Sequence, residues 1–87
     1  MFEFDAKKDE ANRLKHGISL SRAADFEIDT TVVDPFPHER RFRSFGRIEG
    51  RPYCLIYTLR AGGIRAISLR RVHKKEYDRY VPPKPRV

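Results

Sequence analysis

RAGGIRAISLRRVHKKEYDRY, residues 60–80, is the segment around which the rest of this 87-residue chain is organised. Gly62-Gly63 is a tight-turn signal, and the apolar residues on either side of it predict a β-hairpin. The second strand runs over Ile64–Leu69, and a short basic helix follows from about Val72 to Tyr80. Three of the next five residues are prolines, which end the helix because the residue before a proline disfavours helical backbone.

The same stretch is strongly basic, with aromatic and titratable side chains between its cations. Such a surface suits a polyanion, and RNA most of all. A basic hairpin and helix that simply face solvent would look the same, because most charged side chains lie at the surface. Both interpretations stay open on charge alone. The residues concerned are Arg60, Arg65, Arg70, Arg71, Lys74, Lys75 and Arg79, with His73, Tyr77 and Tyr80 between them.

The segment before the hairpin is the most apolar of the chain and predicts the central strand of a sheet. Within a strand from Pro52 to Arg60, the run Tyr53-Cys54-Leu55-Ile56-Tyr57 is unbroken, as expected when both faces of a strand are covered. Upstream, β-branched and aromatic residues predict two more strands. These are Thr30–Val33 and Arg41–Phe45, the latter with a bulge or late turn allowed by its phenylalanine spacing, and the predicted connections are residues 34–38 and 47–51.

The N-terminal segment predicts a short edge strand, Phe2–Phe4, followed by two helices. Asp5 is a good N-cap for a helix to about His16, and Gly17 is a strong stop for it. In this helix Ala11 and Leu14 predict a thin apolar stripe, and a polar face is predicted for Lys8, Asn12, Lys15 and His16. Ser19 begins a second short helix over residues 20–26. The predicted fold class is therefore α+β: two N-terminal helices, a four- to five-stranded, mostly antiparallel sheet, and a C-terminal helix.

Length and composition predict one domain, residues 1–80, followed by a proline-rich flexible tail, residues 81–87. The single cysteine, Cys54, excludes an internal disulfide framework and is expected to be a buried, reduced thiol. No signal-peptide pattern follows Met1, and no apolar run approaches the roughly 20 residues of a membrane helix. We therefore expect a cytoplasmic protein that does not enter a membrane.

Charge is distributed unevenly along the chain. The net charge is +7; residues 1–39 carry five basic and nine acidic side chains, whereas residues 40–87 carry fourteen and three. One part of the molecule is therefore expected to face a polyanion while another stays neutral or acidic. In the basic part, arginine outnumbers lysine eleven to three. Arginine holds phosphate bidentately and stacks on bases, which favours nucleic acid over an anionic membrane as the partner.

The residue pattern argues against several catalytic chemistries. The one cysteine and the histidines at positions 16, 38 and 73 lack zinc-ligand spacing, and the acidic residues at 25, 27 and 29 fit a solvated boundary better than a magnesium site. Gly62-Gly63 does not form a phosphate-cradling loop, and no Ser or Cys stands in a nucleophile elbow. We therefore expect no metal and no cofactor.

Metal-free cleavage of RNA requires less, because RNA supplies its own nucleophile, the 2′-OH. The protein must position the phosphate, neutralise developing charge and move protons. Arg70 and Arg71 lie just before the final helix, and Arg60 lies one hairpin away. The helix itself presents four candidate groups on one face, at i, i+3, i+4 and i+7 spacing: His73, Glu76, Tyr77 and Tyr80.

Several of these candidates also have a purely structural interpretation. Tyr77 and Tyr80 fit the packing of the helix onto the sheet, and Glu76 fits an ion pair with a neighbouring cation. His16 is either a cation at the end of the first helix, where the helix dipole favours it, or a site residue. The sequence leaves the general base and general acid open among His16, His73, Glu76 and Tyr80.

A set of residues spread along the chain matches the pattern of a known family. They are Asp5, Lys8, Asn12, Lys15-His16-Gly17-Ile18-Ser19, Ala23, the Gly46 region, Tyr57-Thr58, Arg60, Arg65, Ile67-Ser68, Arg70-Arg71, Glu76 and Tyr80. At these positions the chain resembles the BrnT toxins. The N-terminal motif is the more specific part of the resemblance, which covers about residues 2–80. Leu69 departs from the family pattern, where Ala is common, and so does Val72-His73, where Ala-Thr or Ala-Ser is common.

This resemblance implies a ribonuclease toxin of a type II toxin–antitoxin system with a RelE-like fold. Such a toxin is expected to cut RNA without metal and so to inhibit translation and growth. The implied partner is a BrnA-like antitoxin with a ribbon-helix-helix DNA-binding domain, in a complex of two toxins and two antitoxins. Operator DNA would then be bound through the antitoxin.

The residue pattern and the resemblance together give the candidate site residues. Two other functions stay open beside it: a non-catalytic basic module that binds nucleic acid, and a scaffold or co-repressor whose task is to hold the antitoxin. A catalyst would depend on particular residues, whereas a binder would lose affinity gradually with each charge removed. The expected catalytic residues are Arg60, Arg70, Arg71, Glu76, Tyr80 and His16, and the expected RNA-binding residues are Lys15, Arg65, His73, Lys74, Lys75 and Arg79.

Overall fold

The computed structural model of the protein describes residues 2–34 and 39–83. Within these ranges none of the helices is long and apolar enough to cross a lipid bilayer. The elements are β1 (Phe2–Phe4), α1 (Ala6–His16), a 3₁₀ segment (Leu20–Asp25), β2 (Glu27–Asp34), β3 (Arg41–Ile48), β4 (Arg51–Arg60), β5 (Gly63–Arg71) and α2 (Lys74–Tyr80).

The strands of the described ranges form one five-stranded sheet in the order β1-β5-β4-β3-β2. β1 pairs with β5 in parallel, and the other neighbours pair antiparallel. β4 lies in the centre, as its unbroken apolar run predicts. The expected α+β class with a mostly antiparallel sheet is thereby confirmed.

Both faces of β4 are covered, which explains why its sequence does not alternate. Successive side chains of a strand point to opposite faces. Leu55 and Tyr57 belong to a core cluster that includes Leu20 of the 3₁₀ segment, and we call this side the core face. Cys54 belongs to a second cluster with Phe45, against which the tyrosines of α2 pack. We call that side the α2 face.

α1 begins and ends at the predicted signals. The Asp5 side chain accepts a hydrogen bond from the Lys7 N–H at 2.7 Å, and Gly17 ends the helix with a positive φ of 73°. The expected apolar stripe is wrong at Leu14, which is 82% exposed. Asn12, assigned to the polar face, is instead buried. α1 is therefore attached to the sheet by a polar side chain rather than by an apolar stripe.

The second N-terminal helix differs from the prediction. It is a 3₁₀ segment, with hydrogen bonds from the Arg22 N–H to the Ser19 carbonyl and from the Phe26 N–H to the Ala23 carbonyl. Such i→i+3 bonding is common in short connectors. Phe26 already has extended backbone and leads directly into β2, which begins at residue 27 rather than 30.

The hairpin between β3 and β4 is tighter than predicted. Both strands extend into the expected turn of residues 47–51, so that only Glu49 and Gly50 remain between them. Both residues have positive φ, 51° and 76°, as two-residue hairpin turns of the primed type require. The bulge allowed in β3 is absent, because its pairing with β4 is regular. Register shifts lie instead in the β2–β3 and β4–β5 pairings.

α2 begins two residues later than predicted, at Lys74, with His73 as the N-cap. Val72 is buried at the end of the sheet. Val81, the first residue of the expected flexible tail, also packs against this cluster. Residues 84–87 of the tail and residues 35–38 of the expected loop lie outside the described residues, and the remaining loop residue, Asp34, belongs to β2.

Candidate phosphate-binding site on the α2 face

An arginine–glutamate pair joins β5 to α2. Arg70 donates from Nη1 to Glu76 Oε1 at 3.2 Å and from Nη2 to Glu76 Oε2 at 2.8 Å. This bidentate hydrogen bond raises the pKa of Arg70 and lowers the pKa of Glu76. About a third of each side chain is exposed. The pair is therefore a fixed charge pair that a ligand can reach, and the ion-pair interpretation of Glu76 is confirmed.

A second arginine, Arg43, lies beside this pair, and the sequence reasoning did not select it. Tyr80 stacks on Phe45 with ring centroids 4.2 Å apart, and the Arg43 guanidinium lies 5.4 Å from the Tyr80 centroid. Hydrogen bonds with Tyr80 and then Asp34 raise the pKa of Arg43. The available signal was the strand period, which places Arg43 and Phe45 on one face.

His16 approaches the site from the C-terminal end of α1. Burial lowers the pKa of His16, and the charges of Lys15 and then Arg70 lower it further. The imidazole is therefore within electrostatic range of Arg70, and its neutral form is favoured. A neutral histidine beside an arginine is equipped to accept a proton near a bound phosphate.

Asn12 holds the end of α1 in this position. Its Nδ2 donates to the Leu69 carbonyl at 2.8 Å and to the Ile18 carbonyl at 2.9 Å, and its Oδ1 accepts from the Leu69 N–H at 3.0 Å. The amide thus replaces a neighbouring strand at the edge of β5, beyond the last residue that pairs with β1. Because Leu69 precedes Arg70, this connection brings the end of α1 with His16 within electrostatic range of the arginine.

α2 is attached through both of its tyrosines. Tyr80 stacks on Phe45, and the Tyr77 hydroxyl donates a hydrogen bond to the Asp29 carboxylate of β2. Burial raises the pKa of Tyr77, and the bond to Asp29 raises it further. The packing interpretation of both tyrosines is confirmed, and Tyr80 additionally lies against Arg43.

The structure does not bring Arg60 close to the Arg70–Glu76 pair. Arg60 lies six residues along β4 from Cys54, which is the register partner of Arg70, and six strand residues span about 20 Å. Its side chain is 54% exposed and lies 3.6 Å from Glu39. Arg71, adjacent to Arg70 on β5, points to the opposite face by strand alternation. Their expected catalytic roles stay predictions.

The expected RNA-binding residues lie in three places. Arg65 lies at the β1 side of the sheet, 3.3 Å from Glu3 and 3.9 Å from Asp5. Lys15 is exposed beside His16. The others are exposed on or next to α2: His73, Lys74, which lies 2.6 Å from Asp78, Lys75 and Arg79.

Metal ligation has no evident location in the described part of the chain. Among residues 2–34 and 39–83, no group of three or more His, Cys, Asp or Glu side chains is arranged to hold a metal ion. The site instead presents arginines, a paired carboxylate, a histidine and a tyrosine. These groups can bind a phosphate ester and move a proton near it.

The fold and this site define a small α+β protein with a cationic cluster on one face of its sheet. The family model of the BrnT ribonuclease toxins of type II toxin–antitoxin systems matches residues 4–76. The chain therefore belongs to the BrnT family. It is similar in structure to the Brucella abortus ribonuclease toxin BrnT, with a TM-score of 0.65 and 19% identity, covering 85% of this chain and 100% of that one. At this identity the similarity shows the fold alone. No curated protein matches the sequence.

Proposed function

We propose that this protein is a metal-independent endoribonuclease that acts in the cytoplasm, cleaves RNA and thereby inhibits translation and growth. Membership of a family of ribonuclease toxins supports the reaction class. The observation that carries the proposal is the convergence of the Arg70–Glu76 pair, Arg43 with Tyr80, and a histidine whose neutral form is favoured.

In the proposed reaction the RNA 2′ oxygen attacks the adjacent phosphorus while the bond from phosphorus to the 5′ oxygen breaks. His16 takes the proton of the 2′-OH, because its lowered pKa keeps the imidazole neutral near pH 7. Tyr80 gives its proton to the departing 5′ oxygen and later regains one from water. Arg70 and Arg43 stabilise the negative charge that develops on the phosphoryl oxygens.

Glu76 has a positioning role in this scheme. Its pKa is lowered by Arg70, so that the carboxylate is a weaker base than an ordinary glutamate. The bidentate contact orients the guanidinium, which keeps further N–H groups for phosphate because arginine has five donors. His73 caps α2 without a side-chain hydrogen bond to the helix, and we assign it to RNA binding rather than to proton transfer.

The proposed partner is a BrnA-like antitoxin with a ribbon-helix-helix DNA-binding domain, in a complex of two toxins and two antitoxins. Support comes from the family, whose members are toxins of type II toxin–antitoxin systems. Operator DNA would be bound through the antitoxin. The exposed cations on and next to α2 supply complementary charge for an acidic partner or for DNA.

The proposal is tested by inducing the chain alone and together with a BrnA-like antitoxin, while growth and total RNA integrity are followed. We expect growth arrest with RNA breakdown from the chain alone, relief by the antitoxin, and no arrest from the Arg70→Ala variant although it still binds the antitoxin. Normal growth with intact RNA would contradict the proposal and favour a non-catalytic binding module or co-repressor.

Purified protein should also cleave RNA in excess EDTA, and loss of cleavage on chelation would contradict the metal-free mechanism.

A further inference from the structure

A groove between α1 and β5 runs from His16 along α1 to Lys8, a residue that has no role assigned so far. Its volume is about 210 Å³. We propose that this groove binds a nucleotide that flanks the cleaved bond, with Lys8 as the ligand of its phosphate, an inference that rests on the proposed function. The groove is lined by Lys8, Ala11, Asn12, Lys15, His16, Ile67 and Ser68.

The two lysines of the groove lie on one side of α1. Lys8 and Lys15 are seven residues apart, which is about two helical turns or 10 Å along the helix axis. A single RNA strand covers such a distance in a few nucleotides. His16, next to Lys15, is also close enough to Arg70 for the arginine charge to lower its pKa. A strand held at Arg70 can therefore continue along the groove towards Lys8.

The lining of the groove has the chemical character that a nucleotide requires. Ala11 and Ile67 offer apolar surface for a base or ribose, the Ser68 hydroxyl can donate or accept a hydrogen bond, and the lysines supply positive charge for phosphate. Its described lining residues include no carboxylate. Single-stranded RNA is commonly recognised by this combination of a cationic track and surfaces on which bases lie.

Two neighbouring contacts keep the groove open to an anion. Asp9, which follows Lys8 in sequence, accepts hydrogen bonds from the Ser19 hydroxyl at 2.8 Å and the Leu20 N–H at 2.7 Å. Its negative charge is therefore directed towards the 3₁₀ segment. Asn12 uses its amide on Ile18 and Leu69, so that it forms a fixed part of the wall.

The lining of the groove favours an unpaired nucleotide over a duplex. It offers a short apolar and cationic surface along α1 and β5, on which an unpaired base or ribose can lie. The bases of a double helix are stacked and paired, and they are not splayed out onto such surfaces. The ligand class is therefore a flanking nucleotide of single-stranded RNA.

Lys7 provides a matched control for Lys8. The two lysines are adjacent in sequence, exposed and equally charged, but only Lys8 lines the groove. If the lysines merely add positive charge to α1, replacing either one should weaken RNA binding by the same amount. If Lys8 holds a phosphate in the groove, replacing Lys8 should weaken binding more than replacing Lys7.

Binding is measured with a short 2′-O-methyl RNA, which cannot be cleaved, at several salt concentrations. We expect Lys8→Ala to weaken binding about fivefold to tenfold and to reduce the slope of log affinity against log salt by about 0.7, the value for one phosphate contact to a single strand. Lys7→Ala should stay within about twofold of the unaltered protein. Equal effects of the two variants, or no binding of this RNA by the unaltered protein, would overturn the proposal.

Cleavable RNA separates this proposal from the proposed function. If both hold, Lys8→Ala raises KM about fivefold and leaves kcat unchanged, and the effect vanishes on RNAs shortened at one end so that they no longer reach the groove. If the unaltered protein cleaves no RNA but Lys8→Ala still binds more weakly than Lys7→Ala, the proposed function fails and the groove assignment stands. Cleavage with equal KM for the two variants overturns the groove assignment alone.

Discussion

Asn12 connects the fold to the site at the scale of a single residue. It is 5% exposed, and its three hydrogen bonds satisfy backbone groups of Leu69 and Ile18. The sequence predicts a helix at this position but not the burial, because the partner on β5 is 57 residues away. The spacing of α1 places Asn12 among lysines, which is why it was assigned to the polar face.

Replacing Asn12 by Ala should destabilise the protein by about 2–3 kcal/mol, because buried backbone groups of Leu69 and Ile18 would lose their hydrogen bonds. The free energy of unfolding in urea measures this change. Leu14→Ala in the same helix is the control and should change the free energy by less than about 0.5 kcal/mol, since Leu14 is exposed. An Asn12→Ala variant as stable as Leu14→Ala would contradict the described role.

His16 makes the stability of the protein depend on pH. The pKa of His16 is lowered in the folded state, first by burial and then by the charges of Lys15 and Arg70. Lys8 lines the same groove between α1 and β5 as His16. The unfolded chain therefore binds this proton more readily. The contribution of neutral His16 is fully present above about pH 6.5 and is lost as the pH falls through the lowered folded-state pKa.

His16→Gln should therefore lose less stability than the unaltered protein between about pH 7.5 and pH 5. Urea denaturation midpoints at the two pH values measure the difference, and the other histidines cancel because both proteins contain them. Parallel losses in the two proteins would show that His16 is not held in its neutral form by its surroundings.

At the scale of elements, close packing between β2 and β3 depends on Gly46. A Cβ at this position would overlap the Glu27 carbonyl oxygen and lie 2.8 Å from the Phe26 ring. Gly46→Ala should therefore cost at least about 2 kcal/mol of stability by overpacking, measured by thermal or urea unfolding. An unchanged unfolding midpoint would mean that β2 moves away from β3 without loss.

The predictability of the elements follows from how local their signals are. The N-cap Asp5, the stop at Gly17 and the central strand were predicted because each is specified by neighbouring residues. For α2, the sequence allowed the packing of its tyrosines on the sheet but not their partners. This seven-residue helix has little stability alone and is held by Phe45 and Asp29, which are distant in sequence. Arg43 was missed and Arg60 was grouped with Arg70 for the same reason: proximity across the sheet depends on register.

At the scale of the whole molecule, the acidic and basic halves of the sequence are interleaved rather than separated. β1 and β2, from the acidic half, flank the sheet on either side of the basic strands. Ion pairs consequently link the halves: Arg47 with Asp29 at 3.0 Å, Arg43 with Asp34 at 3.1 Å, and Arg65 with Glu3 at 3.3 Å. The charge that faces a polyanion is therefore smaller than the sequence distribution suggests.

RNA binding should accordingly depend only moderately on salt. If the site and groove contact about three to five phosphates, the slope of log affinity against log salt should be about −2 to −3.5 for a non-cleavable single strand. Titrations at several salt concentrations measure it. A slope steeper than about −5 would mean that most of the basic surface contacts RNA, as expected for a non-catalytic binding module.

Single-turnover cleavage of RNA by purified Arg70→Ala tests whether the group around Arg70 on the α2 face is a ribonuclease site. We expect a rate at least about 100-fold lower than that of the unaltered protein, the usual effect of removing a transition-state charge ligand. Arg22→Ala, which removes a partly exposed, ion-paired arginine of the 3₁₀ segment, should cleave at the unaltered rate. A folded Arg70→Ala variant that cleaves as fast as Arg22→Ala would show that Arg70 does not belong to a ribonuclease site.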